Sequence, residues 1–155
     1  MKRITGILAF FAITTALFTG CQSKKDINID ITALANDLKS SVTFADTLDE
    51  QSSAAFSVAY TIDEADVVAK KIYVGSGATA EEIAVFEAKD EAAAGRIRSA
   101  VDVHIEDNLE SFEDYNPDEL QKLSDTVIVV AGKYVILCVS DDNETARKTI
   151  NKYKN

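Results

Sequence analysis

Apolar residues first form one nearly unbroken run, Ile4 to Leu17, and after it fall into short periodic blocks separated by polar turns. Ile31, Leu34 and Leu38, with Ala35 between them, recur at helical spacing behind Asp30, which predicts a helix capped by that aspartate. A weaker helical pattern runs from Glu50 to Tyr60. Val67 to Val74 is rich in β-branched and aromatic residues, Gly75-Ser76-Gly77 interrupts it, and Glu82 to Lys89 alternates again, which predicts a β-hairpin. A long helix follows from an Asp90 cap to about Phe112.

The second half repeats this order. Thr126 to Val130 reads as a strand, Ala131-Gly132 as a tight turn and Tyr134 to Ser140 as the partner strand, with Asp141 or Asp142 capping a last helix. Between the halves, Asn116-Pro117-Asp118-Glu119 places a cap residue, a proline at the first helical position and an acid at the third, a capping-box variant opening a short turn to Leu123. Two strand-strand-helix repeats predict an α+β fold of two layers: an antiparallel sheet of about four strands with helices on one face, plus the extra N-terminal helix or helices. Thr126 to Val130 and Tyr134 to Val139 are apolar on both faces, which predicts central strands with the N-terminal helix over part of the second face.

The run from Ile4 to Leu17 is too short to cross about 30 Å of hydrocarbon. Lys2 and Arg3 precede it and Leu17-Phe18-Thr19-Gly20-Cys21 closes it, the layout of a bacterial lipoprotein signal over residues 1–20 with Cys21 as the lipid-bearing residue. Phe18 stands where an aliphatic residue is usual. A diacylglyceryl group on the Cys21 sulfur gives lasting membrane attachment, since each buried methylene contributes about 0.8 kcal/mol. Residues 21–26 then form a lipidated tether, reaching at most ~3.5 Å per residue, and residues 27–155 a single globular domain at the extracytoplasmic face of the cell membrane. Lys24 and Lys25 face the headgroups in this reading.

The formal charge of −10 becomes more negative by two once Lys2 and Arg3 leave with the signal. Nucleic acid and polyanionic polymers are therefore poor partners, and no nucleic acid is expected. With the Cys21 sulfur in a thioether, Cys138 has no intramolecular disulfide partner, and its setting in Tyr134-Val135-Ile136-Leu137-Cys138-Val139 predicts an inert core thiol.

His104 is the only histidine, so imidazole catalysis or a zinc site would have to pass through it. It lies on the stripe of Ile97, Val101, Ile105 and Phe112, and Asn108 and Ser111 share that face. The trio His104, Asn108 and Ser111 is the one candidate polar cluster, read first as a structural group; Asp102 and Glu106 point away and leave His104 without an orienting carboxylate on its own helix. Gly75-Ser76-Gly77-Ala78-Thr79 lacks a phosphate-loop spacing and reads as a hairpin loop, and Asp141-Asp142-Asn143-Glu144 lacks a calcium-loop pattern and reads as a helix cap. No motif calls for a cofactor or a metal.

Ile72-Tyr73-Val74-Gly75-Ser76-Gly77-Ala78-Thr79-Ala80-Glu81-Glu82-Ile83-Ala84-Val85-Phe86-Glu87-Ala88-Lys89-Asp90, with Ser111 to Pro117 and Gly132 to Leu137, resembles a family of lipoproteins from Gram-positive bacteria, the domain of unknown function 4358. The resemblance implies a lipobox signal, an extracytoplasmic α+β domain, no catalytic residue to carry over, and an accessory place beside membrane-bound acyltransferases in surface-polymer modification. The expected function is a non-enzymatic, membrane-anchored binding or accessory module whose partner is an envelope protein or surface component. The alternatives are an envelope-modifying enzyme with His104 as base, or its accessory subunit, and a lipoprotein that captures cations or small solutes.

Overall fold

A computed structural model describes residues 27–154. The expected signal at residues 1–20 and the whole of the expected tether at residues 21–26, Cys21 included, lie outside the described residues. Among the described residues, no helix is long and apolar enough to cross a membrane.

Helix α1, Ile31–Ser41, begins as its pattern predicts, with Asp30 Oδ1 accepting from Ala33 N at 2.9 Å. It is followed by β1, Asp49–Glu50, and α2, Ser53–Ala59, whose cap is Ser52. The Glu50 to Tyr60 pattern thus splits: its start pairs as a strand and its helix begins only where Ser52 can accept from Ala55 N. Strands β2, Val67–Val74, and β3, Glu82–Ala88, form the first hairpin, and α3 runs Glu91–Tyr115 behind its Asp90 cap. A 3-10 turn, Pro117–Glu119, leads into α4, Leu120–Ser124. The second hairpin is β4, Val127–Ala131, with β5, Tyr134–Val139, turned by Gly132 at φ +56, and α5, Asn143–Lys152, follows with Asp142 as its cap.

The fold is α+β, with one antiparallel sheet in the order β1-β2-β3-β5-β4. β3 and β5 form the middle of the sheet, where Glu82 faces Val139 and Glu87 faces Tyr134. Alternation then divides their side chains. Ile83, Val85, Tyr134, Ile136 and Cys138 pack with Leu34 and Leu38 of α1 and with Ala146 and Ile150 of α5. Ala84, Phe86, Val135, Leu137 and Val139 pack with Phe56, with Ile97, Val101 and Ile105 of α3, and with Leu123 of α4. Every residue of β5 is buried for this reason.

Three expectations change in detail. The sheet gains a fifth, two-residue strand, β1. The second face is covered by α1 together with α5, so the helices of the two repeats lie on opposite faces. Of the two strands read as central, β5 is, whereas β4 is an edge strand whose apolar outer residue Val130 is 48% exposed. An apolar run signals strand but does not distinguish a neighbour on both sides from a neighbour on one.

Asp66, in a 3-10 turn just before β2, anchors the start of α3. Its carboxylate accepts from Arg96 Nε at 2.6 Å and Nη2 at 2.7 Å, and Lys89 lies 2.8 Å away. The Arg96 hydrogen bonds, then Lys89, hold its pKa well below the usual carboxylate range. The partners themselves are half exposed and cover Asp66 from the solvent side, so this is a screened surface cluster that fixes the direction of α3.

Candidate functional site

Two consecutive glutamates at the entry to β3 organise the polar interior. Glu82 is the first residue of β3 and shares the face of Ala84 and Phe86, which turns it toward α3. It is only 4% exposed. Glu82 Oε1 accepts from the Tyr60 hydroxyl at 2.6 Å, and Oε2 stands 2.7 Å from His104 Nε2. The other ring nitrogen, Nδ1, lies 3.0 Å from the Ala59 carbonyl. A carbonyl only accepts, so Nδ1 carries hydrogen, and a second proton on Nε2 makes an imidazolium paired with a carboxylate. Burial opposes that charge, but the Glu82 hydrogen bond and charge, the Ala59 carbonyl and Asp107 outweigh it and raise the pKa of His104. The Tyr60 ring stacks on the imidazole at 4.1 Å between centroids. Burial first, then Glu82, pushes the Tyr60 hydroxyl far above its ordinary value.

The expected trio is therefore only partly assembled. Asn108 Nδ2 lies 3.2 Å from His104 Nε2, one helical turn along α3. Ser111 is exposed and donates to the Asp107 carbonyl at 2.8 Å, outside the cluster. Asp102 does turn away, to pair with Arg98. An orienting carboxylate exists nonetheless, supplied across the core by Glu82. Tyr60 and Glu82, which sequence reasoning omits, complete the group. The available signal was an acid at the start of a strand whose next four residues, Ile83 to Phe86, are apolar.

Glu81, one residue earlier, is also buried. Its Oε1 accepts from Ala45 N at 2.9 Å and its Oε2 from Asp46 N at 2.8 Å, fastening the loop after α1. Lys122 of α4, 4% exposed, places Nζ 3.1 Å from Glu81 and 3.0 Å from Glu119. Glu119 also accepts from Ala80 N at 2.9 Å. Burial lowers the affinity of Lys122 for its proton, and the bonds to Glu119 and Glu81 more than restore it, leaving the pKa raised. The expected capping box does not form here. Asn116 makes no side-chain cap and instead donates to the Ala78 carbonyl at 3.1 Å, while Glu119 turns inward to Ala80 and Lys122.

These contacts hold the loop 75–81 against α3 and leave a cleft of about 190 Å³ beside the histidine. Gln51, Gly77, Thr79, Glu82, Asn108 and Phe112 line it. Gln51 Oε1 is buried and has no hydrogen-bond partner, and Thr79 Oγ1 only stands near the Asp46 carboxylate without a well-formed bond. Gly77 adopts φ +89, a conformation that side chains rarely take, and a Cβ there would meet nothing within 4 Å. At about 30 Å³ per water, the cleft takes one side chain or one small ring rather than a nucleotide.

Cys138 faces the other layer. Burial pushes its thiol up to about 12, so it is protonated and unreactive at neutral pH. A Cys21→Ala chain should show one thiol that labels slowly under native conditions and rapidly in denaturant. Rapid native reaction with a bulky maleimide would contradict the buried placement. Among the described residues, no group of three or more histidine, cysteine or acidic side chains is placed to hold a metal ion.

No curated protein and no solved structure matches the chain. Residues 40–140 match one family, and this stretch holds Glu81, Glu82, His104, Glu119 and Lys122. The chain belongs to the family of the domain of unknown function DUF4358.

Proposed function

We propose that this protein is a membrane-anchored extracytoplasmic lipoprotein, acylated at Cys21, that serves as a non-enzymatic binding or accessory module of the cell envelope. The observation that carries the non-enzymatic part is the bonding of His104. A general base needs an open lone pair within reach of substrate. Here the Ala59 carbonyl and the Glu82 carboxylate occupy both ring nitrogens, in a cation whose proton is held above the ordinary histidine range.

What faces the cleft is recognition chemistry. The unpartnered Gln51 Oε1 invites a donor, and buried carboxylates outnumber buried cations around it: Glu81, Glu82 and Glu119 against Lys122 and His104. A neutral or cationic hydroxyl, amide or amine from an envelope component fits this setting, and an anion is repelled. The lipobox and the short apolar run before it support the anchored, extracytoplasmic placement.

Crosslinked capture from membranes tests the binding role. Gln51→Leu should weaken capture of the partner about tenfold, the effect of one lost hydrogen bond to a buried group, without changing the thermal midpoint by more than a few degrees. Unchanged capture places binding away from the cleft, and product formation that depends on His104 overturns the non-enzymatic reading. For the anchor, Cys21→Ala should abolish palmitate labelling and release the protein or leave an unprocessed precursor. A Cys21→Ala chain that still takes up label is not anchored as proposed.

A further inference from the structure

The sheet has two edges of opposite character. At one end β1 is only two residues long and both are acidic, Asp49 and Glu50, which repels an incoming strand. At the other end β4, Val-Ile-Val-Val-Ala, carries no charge, no proline and no bulge; its pairing with β5 runs without a register shift, whereas β2 breaks register between Val67 and Ala69. In an antiparallel ladder alternate residues turn their N–H and C=O outward, so an edge strand presents a row of unmatched groups. No described strand pairs with that side of β4. Val130 is 48% exposed, and Ile128 and Val129 are half-buried.

We infer that β4 is a docking edge for a second copy of this chain, the two β4 strands pairing antiparallel across a two-fold axis so that two five-stranded sheets become one. Charge selects this occupant. The chain carries −10 overall, which disfavours self-association over most of its surface. The groove of about 510 Å³ beside β4 is different: among its lining residues Arg98 and Arg147 balance Asp102 and Glu106, and Leu109 and Ile128 are apolar. Under a two-fold operation a surface carrying both signs offers its arginines to the acids of the other copy, and each apolar strand meets an identical one. Two-fold pairing also closes: each chain has one such edge among its described residues, so the assembly stops at two.

The test is the mass of the full chain in mild detergent as a function of concentration, by sedimentation with the detergent density-matched. The expected result is a monomer–dimer equilibrium, as suits an interface smaller than an obligate one. Val130→Lys places two like charges at the junction and should raise the dissociation constant about tenfold or more. Because residue 130 is half exposed, its circular dichroism and melting curve should match the parent chain. A one-to-one mixture of Val130→Lys and Val130→Glu chains should restore pairing that neither shows alone. A chain that is monomeric at every concentration overturns the inference, as does a dimer indifferent to both substitutions or a ladder of higher oligomers.

Discussion

Lys122→Met should lower the stability of the domain by about 3 kcal/mol, near the low end for removing one member of a buried ion pair. The methionine fills much of the same space, so the loss comes from charge. Glu81 and Glu119 would then share a covered site with no cation between them, and both are fixed by backbone donors, Ala45 and Asp46 for one and Ala80 for the other. The low end applies because the ammonium lies near the surface, 3.6 Å from the exposed Asp141, where water supplies part of the lost solvation. For a domain of this size, such a loss lowers the melting midpoint by roughly 10 °C. Adding Glu119→Gln to Lys122→Met should recover part of it, since one of the two opposed charges is gone. A single-variant loss under 1 kcal/mol in denaturant titration would show that the triad contributes little. The raised pKa of Lys122 adds a pH signature: its stabilisation is complete below about 10.5 and is lost as pH rises through the folded value.

His104→Ala should cost about 3–5 kcal/mol at pH 6, because it strips the cation from Glu82, a donor from the Ala59 carbonyl and the stacked face from Tyr60. His104→Gln keeps a single amide donor and should lose less, about 1–3 kcal/mol. The sign of the pH effect follows from the raised pKa. Folding favours proton uptake, so the His104 contribution is fully present below about pH 6.5 and fades as pH rises through its folded value. The parent chain should therefore lose stability from pH 6.5 upward more steeply than His104→Gln. Parallel pH curves for the two chains would show that the ring does not carry its charge into the fold. Nitrogen chemical shifts of the ring should show both nitrogens protonated at pH 6.

The hairpins, their turns and the caps at Asp30, Asp90 and Asp142 were legible because each is written within a few residues, as a period of two, a glycine, or an aspartate three positions before the amide it serves. What escaped depends on pairs distant in the chain. The acids close to His104 on its own helix, Asp102 and Glu106, face away from it, whereas its partner Glu82 lies 22 residues away and meets it only after β3 and α3 pack. Lys122 lies within the short turn to Leu123, with nothing nearby in the sequence to mark it as buried; its burial appears only once the loop after α1 and the 3-10 turn before α4 converge on Glu81. Asn116 and Glu119 sat at cap spacing, yet the loop 75–81 offers both of them a better partner than the helix end does. Ser111 shared a helical face with His104, but the cleft ends near Phe112 and the serine points past it.

The dipeptide Glu81-Glu82 also bears on how the molecule opens. Glu81 holds the loop that follows α1 and the helix α4, and Glu82 holds α3 through His104 and the end of α2 through Tyr60. The polar ties of helices on opposite sides of the sheet therefore meet in one peptide unit. Peeling α1 away requires releasing Glu81, and moving Glu81 shifts the neighbouring carboxylate that secures α3. Amide protons of α1 and α3 should thus exchange with solvent through a single opening event with a common free energy, rather than as two layers that melt in turn.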